Sequence, residues 1–123
     1  DNNKFYTQMK NQDYLEIVKN AMWRVVNEKR VGTASHMKKV GDIEYAGKTG
    51  TAQVYNLDKG KTGTKNLQDH ALFISYAPFD KPEVVVTVIV EHGGGGSSTA
   101  APIARDIIEY YMNNKTQKVA INE

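Results

Sequence analysis

The sequence predicts an α+β fold, a three-stranded antiparallel sheet with flanking helices. Three observations predict it. Apolar residues recur at helical spacing in two places, Asn11 to about Lys29 and Ser98 to Asn113. Three segments between them have strand character. The second and third of these are joined only by Pro78-Phe79-Asp80-Lys81-Pro82, far too short for a parallel crossover, so they form a hairpin.

The elements follow in order. In the first helix Tyr14, Leu15, Ile17, Val18, Ala21, Met22, Val25 and Val26 carry the helical period, and Asn11 or Asp13 caps the start. Val31 to Gly41 is a linker with Gly32 and Gly41 at its ends. The first strand is expected near Ile43 to Tyr55, where Asp42-Ile43-Glu44-Tyr45-Ala46 alternates polar and apolar and the alternation resumes at Val54 and Tyr55. A basic, glycine-bearing loop follows, Asn56 to Gln68, long enough to signal function or mobility. The second strand is His70 to Ala77 and the third Val84 to Glu91. The third reads Val-Val-Val-Thr-Val-Ile-Val, apolar on both faces, so both faces should be covered in a complete protein. The last helix sets Ile103, Ile107, Ile108 and Tyr111 on one side. Residues 1–10 then read as an N-terminal arm, 11–113 as the folded part and 114–123 as a frayed, flexible tail.

Composition bounds the function. A chain of 123 residues is one domain at most, and 40% apolar residues give it a modest core. A net charge of +2, with lysines scattered along the chain, argues against nucleic acid. No run approaches the roughly 20 apolar residues of a membrane span. The absence of cysteine excludes disulfides and thiolate metal sites. The chain begins at Asp1 rather than Met and reads as a piece of something larger.

The chemistry concentrates in Gly47-Lys48-Thr49-Gly50-Thr51-Ala52-Gln53-Val54. A strand that presents Lys, Thr, Gly and Thr in succession offers a cationic head, two hydroxyls and an unobstructed backbone edge. Those parts hold a carboxylate and polarise a carbonyl lying alongside. Gly-Lys-Thr-Gly-Thr occurs again at 60–64, but in a polar loop, which offers no straight hydrogen-bonding edge. Neither copy is a phosphate-binding P-loop. That motif needs glycine five residues before the Gly-Lys pair, where this chain has Asp42 and Tyr55.

This box resembles the Lys-Thr-Gly element of the serine penicillin-recognising enzymes. The hairpin His70–Pro78 and Pro82–Glu91, the glycine run and the closing helix resemble the end of a class B penicillin-binding protein, most similar to the elongation type, penicillin-binding protein 2. The likeness covers roughly residues 11 to 112. It implies part of the penicillin-binding-protein transpeptidase (serine β-lactamase-like) fold, whose five-stranded sheet pairs the strand matching Val84–Glu91 with one from earlier in the chain. It implies a peptidoglycan D,D-transpeptidase that acts through a serine ester, takes stem peptides ending in D-Ala-D-Ala, and is acylated by β-lactams. Lys48 and Thr51 would be catalytic, and Thr49, Gly50 and Thr51 substrate-binding. The complete protein would sit on the periplasmic face of the bacterial inner membrane, anchored outside this segment, with no cofactor or metal. A class D β-lactamase or β-lactam sensor shares the Lys-Thr-Gly strand, and a non-catalytic interaction module is the remaining alternative.

Other motifs weigh less. Ser35-His36-Met37-Lys38 matches the family's Ser-x-x-Lys nucleophile motif, yet four serines and thirteen lysines in 123 residues give about 0.4 such matches by chance. Only nine residues separate its Lys38 from Lys48, whereas the family's nucleophile lies far upstream at the start of a buried helix. No Ser-x-Asn occurs, so nucleophile and second motif are expected outside this chain. Gly93-Gly94-Gly95-Gly96-Ser97-Ser98 reads as a flexible connection with a tight reversal rather than an anion cradle. His36, His70 and His92 are too dispersed to indicate a metal, and Trp23, Met22 and Met37 read as packing. With its sheet partner absent, the chain should self-associate as a two-fold dimer, joining two Val84–Glu91 edges or exchanging a helix.

Overall fold

A computed structural model of the chain describes residues 10–54 and 68–121. The elements are α1 (Gln12–Asn27), β1 (Ala46–Ala52), β2 (His70–Ala77), β3 (Val84–Val90), a π-turn over Gly96–Ala100, and α2 (Ala101–Ile121). The strands form one antiparallel sheet in the order β1-β2-β3. Ala46 pairs with Tyr76 and Ala52 with His70, while Ala71 pairs with Val90 and Ala77 with Val84. The expected α+β architecture is therefore the one observed, and among the described residues β1 and β3 are the sheet's edges.

Asn11 caps α1, its side-chain oxygen accepting the Asp13 N–H at 2.9 Å. Asp13 lies in the first turn, where its charge complements the helix dipole. Beyond Glu28 the chain doubles back on the helix end. The Gly32 N–H reaches the Glu28 carbonyl at 2.8 Å, and the Ala34 N–H reaches the Val25 carbonyl at 3.0 Å.

β1 starts later than expected, at Ala46 rather than Ile43. Val40 and Ile43 close a tight turn through Gly41, whose φ of 53° lies in the left-handed region. Residues 43–45 alternate but have left the sheet, because β2 ends at Ala77 and the chain turns at Pro78. The Phe79 N–H instead bonds the Glu44 carbonyl at 2.8 Å. β1 also ends earlier than expected, at Ala52, because its ladder partner β2 begins at His70 and leaves Gln53 and Val54 outside the strand. Tyr55 and the loop residues 56–67 lie outside the described residues.

One face of the sheet carries the core. Ala71, Phe73 and Ala77 of β2 and Val86 and Val88 of β3 are buried with Ala101, Ala104, Ile108 and Met112 of α2. Buried Ser75 donates to the Val86 carbonyl at 3.2 Å, which satisfies its hydroxyl within that core. The inward face of α2 differs from expectation. Ile108 is fully buried, but Ile103, Ile107 and Tyr111 are exposed, and alanines take their place. Positions 101, 104, 108 and 112 share one helical face, and small residues there let the helix backbone approach the sheet. The helix also runs to Ile121, so 114–121, expected to be a frayed tail, is helical. The opposite face of β3 is uncovered by the described residues, with Val85 66% and Ile89 63% exposed.

Tyr45 is 2% exposed, and its hydroxyl has no hydrogen-bond partner among the described residues. Burial pushes its pKa up to about 12, with the Arg105 charge acting the other way. A phenol whose pKa is raised in the folded state binds more protons than in the unfolded one. Its stabilising contribution is complete below the unfolded value near 10 and declines as pH rises toward about 12. Tyr45→Phe should therefore cost little at pH 7, since it removes an unsatisfied polar atom. It should also flatten the loss of stability between pH 10 and 12 by about 2 kcal/mol. Urea unfolding of both proteins across that range measures it; parallel pH profiles would contradict it.

Candidate active site

β1 presents Lys48, Thr49, Gly50 and Thr51 in succession along an edge of the sheet. Lys48 and Thr51 are exposed, and Thr49 and Gly50 half-buried. The antiparallel ladder engages one side of the strand: Lys48 lies opposite Ile74, Thr49 opposite Phe73, Gly50 opposite Leu72 and Thr51 opposite Ala71. Its other side has no strand neighbour among the described residues and can accept an extended chain. The Lys48 ammonium donates to the Thr49 carbonyl at 2.7 Å, so the cation folds along the motif itself. The Thr49 hydroxyl lies 3.1 Å from the hydroxyl of Thr33.

The strand is buttressed from behind by the glycine run. A Cβ on Gly96 would stand 3.0 Å from the Gly50 nitrogen and closer still to the Gly50 and Leu72 carbonyls. Only glycine lets the π-turn sit against the middle of the motif. The tight reversal expected there is present, with Gly94 at φ 80°. Its ends are tied down: the Gly94 N–H bonds the Asp69 carbonyl at 2.8 Å, and the Thr99 hydroxyl donates to the Gly93 carbonyl at 2.7 Å. The Asp69 carboxylate in turn accepts the Val54 N–H at 3.3 Å, which fastens the end of β1 to the start of β2. From sequence the run read as a connection; its role in backing Gly50 is a finding of the packing.

The serines do not form a nucleophile centre. Ser35 lies in the turn after α1, not at a helix start, and its hydroxyl donates to the Gly32 carbonyl at 2.8 Å. Ser75 is in the core, and Ser97 and Ser98 are in the π-turn. The second Gly-Lys-Thr-Gly-Thr copy, with Lys61, lies outside the described residues. His70 and His92, far apart in sequence, come together with ring centroids 4.8 Å apart. The His92 N–H donates to His70 Nδ1 at 3.0 Å. Among the described residues no three metal-ligating side chains cluster. Trp23 packs toward Phe79, centroids 6.4 Å apart, and its indole N–H donates to Glu44 at 3.0 Å. Met37 packs against the core.

Residues 6–109 match the family model described as the penicillin binding protein transpeptidase domain, and the chain belongs to that family. Within it the chain is similar to penicillin-binding protein 2. It is 46% identical over 111 residues to the peptidoglycan D,D-transpeptidase MrdA of Haemophilus influenzae, covering 85% of this chain and 17% of that protein. Among solved structures, Pseudomonas aeruginosa PBP2 in complex with WCK 5153 superposes with a TM-score of 0.70 at 32% identity, covering 85% of this chain and 21% of that one. The penicillin G acyl-enzyme complex of penicillin-binding protein A from M. tuberculosis gives 0.58 at 31%, covering 87% and 22%. The resemblance read from the sequence is thus borne out, and the class D β-lactamase and sensor readings are not favoured. The chain spans less than a quarter of the length of each of these relatives.

Proposed function

We propose that this chain forms the Lys-Thr-Gly wall of the active site in a longer serine-type peptidoglycan D,D-transpeptidase. The observation that carries the reading is the exposed edge of β1, with Lys48, Thr49, Gly50 and Thr51 along it, in a chain of this family.

In this reading a stem peptide ending in D-Ala-D-Ala lies antiparallel to β1, adding to the sheet edge; the missing side chain at Gly50 admits its backbone. The hydroxyls of Thr49 and Thr51 bind the terminal carboxylate. A serine from another part of the protein attacks the penultimate carbonyl carbon. The Thr51 N–H is one of two donors facing the oxygen as it gains charge, a kind of contact whose loss typically costs ~10²–10³ in rate. The carbon–nitrogen bond then breaks, and D-alanine leaves with a proton on its nitrogen. Lys48, through its positive potential, supports delivery of that proton. An amine from a neighbouring stem attacks the serine ester, releasing the serine hydroxyl and completing the cross-link. A β-lactam follows the first half of this path.

Peptidoglycan chemistry belongs to the cell envelope, and the relatives' names agree with that location. The finer assignment is the periplasmic face of the inner membrane, with the anchor outside this segment. No helix among the described residues is long and apolar enough to cross a membrane.

The test compares two proteins. The 123-residue chain incubated with benzylpenicillin should keep its intact mass, whereas the complete protein should gain one penicilloyl adduct. An adduct on Ser35 of the chain would restore the dismissed Ser-x-x-Lys match. A complete protein that stays unmodified would defeat the transpeptidase reading.

A further inference from the structure

We infer that Thr33, which belongs to no motif, is a positioning residue for the hydroxyl of Thr49. The inference rests on the transpeptidase reading for the role of Thr49, and on the geometry for the contact itself.

The two hydroxyl oxygens are 3.1 Å apart across sixteen residues of sequence. Thr33 is not a casual neighbour, because the residues on either side of it are fixed. Gly32 bonds the Glu28 carbonyl, Ala34 bonds the Val25 carbonyl, and Ala34 is completely buried. A Cβ on Gly32 would lie 2.5, 2.6 and 2.8 Å from the carbonyl oxygens of Arg24, Val25 and Glu28. Only glycine permits this approach to the last turn of α1, so the helix end dictates where Thr33 stands. Ser35 closes the turn through its bond to the Gly32 carbonyl.

The chemistry of the pair gives the contact a direction. A threonine hydroxyl has one donor and two acceptor sites. If Thr49 spends its proton on a substrate carboxylate, the hydrogen bond between the threonines can persist only with Thr33 as donor. The series then runs from Thr33 O–H to Thr49 oxygen, and from Thr49 O–H to carboxylate, each bond polarising the next. The contact also selects one χ1 well for Thr49, a side chain that otherwise has a choice of rotamers in a strand. Thr33 touches no reacting atom in this scheme. It holds the donor that recognises the free carboxylate end of the substrate.

Thr33→Val keeps the shape and removes the hydroxyl, at an exposed position where folding should survive; Thr33→Ser keeps the hydroxyl. In the 123-residue chain, three-bond NMR couplings to the Thr49 methyl should report one rotamer in the wild type and in Thr33→Ser. They should report averaging in Thr33→Val. In the complete protein, Thr33→Val should raise the half-saturating benzylpenicillin concentration for acylation about five- to tenfold, the worth of one hydrogen bond. The limiting acylation rate should stay within twofold, and Thr33→Ser should recover the wild-type value. The same substitution should have no effect when Thr49 is already valine, or when the penicillin carboxylate is masked as its methyl ester. An unchanged Thr49 rotamer, or losses that simply add in the double variant, would overturn the inference. Wild-type protein that is never acylated would count against the transpeptidase reading instead, and the couplings would still decide whether Thr33 orders Thr49.

Discussion

Replacing Lys48 by alanine in the complete protein should lower acylation by benzylpenicillin about a hundredfold or more, while Lys61→Ala leaves it within about twofold. The two lysines sit in identical pentapeptides, so local sequence cannot explain a difference. Strand context can. Lys48 is carried by an edge strand whose register with β2 is set by seven residue pairs, and the motif behind it is braced by Gly96. Its ammonium, which bonds the Thr49 carbonyl at 2.7 Å, lies close to the backbone on which substrate would be threaded. A residue so placed can act on a developing charge without reorganising first, the condition under which such groups contribute most to rate. Saturation kinetics with a fluorescent penicillin would separate binding from chemistry. We expect the loss chiefly in the limiting rate, since proton delivery matters after binding. Equal losses from Lys48→Ala and Lys61→Ala would mean that the loop copy joins the site.

The parts of the fold legible in the sequence are those governed by local chemistry. Strand-like composition and the short Pro78–Pro82 connection located β2 from His70 to Ala77 and β3 to within a residue of its end, and the Asn11 cap was readable at the start of α1. What escaped depended on neighbours distant in the chain. Ile43–Tyr45 alternates as a strand should, yet β1 starts at Ala46, because β2 turns away at Pro78 and the ladder gives way to the single bond from the Phe79 N–H to the Glu44 carbonyl. On α2 the large isoleucines dominated the reading, but the sheet selected Ala101 and Ala104, whose value lies in how close they let the backbones come. The candidate site divides likewise. Lys48, Thr49, Gly50 and Thr51 form a contiguous word, whereas Thr33 and Gly96 join them only through folding. The one sequence sign for Thr33 was the glycine before it, marking an unusually close return of the chain onto its helix.

The 123-residue chain should self-associate, and β3 indicates how. Val84–Val90 is an edge strand among the described residues, with Thr87 as its single polar side chain and no charge before Glu91. Natural edges of this length are usually blunted by a charge, a bulge or a proline. Here Pro78 and Pro82 guard only the approach to the strand. On the face the described residues leave uncovered, the register places exposed Val85 beside Tyr76, exposed Ile74 beside Thr87, and Leu72 beside exposed Ile89, a largely apolar strip across two strands broken only by the Thr87 hydroxyl. Tyr14, Leu15, Ile17 and Val18 on α1 are exposed as well. Two copies meeting edge to edge about a two-fold axis would continue the ladder into a six-stranded sheet and bring their strips together. Light scattering over a dilution series should show twice the chain mass at high concentration, falling toward the monomer on dilution. A lysine at Val85 or Ile89 should shift that transition to higher concentration by placing a charge on the strip, with α2 and the core unaffected. In the complete protein the same strip would be covered, so these substitutions should there cost folding stability rather than association. A monodisperse monomer at every concentration would defeat the prediction.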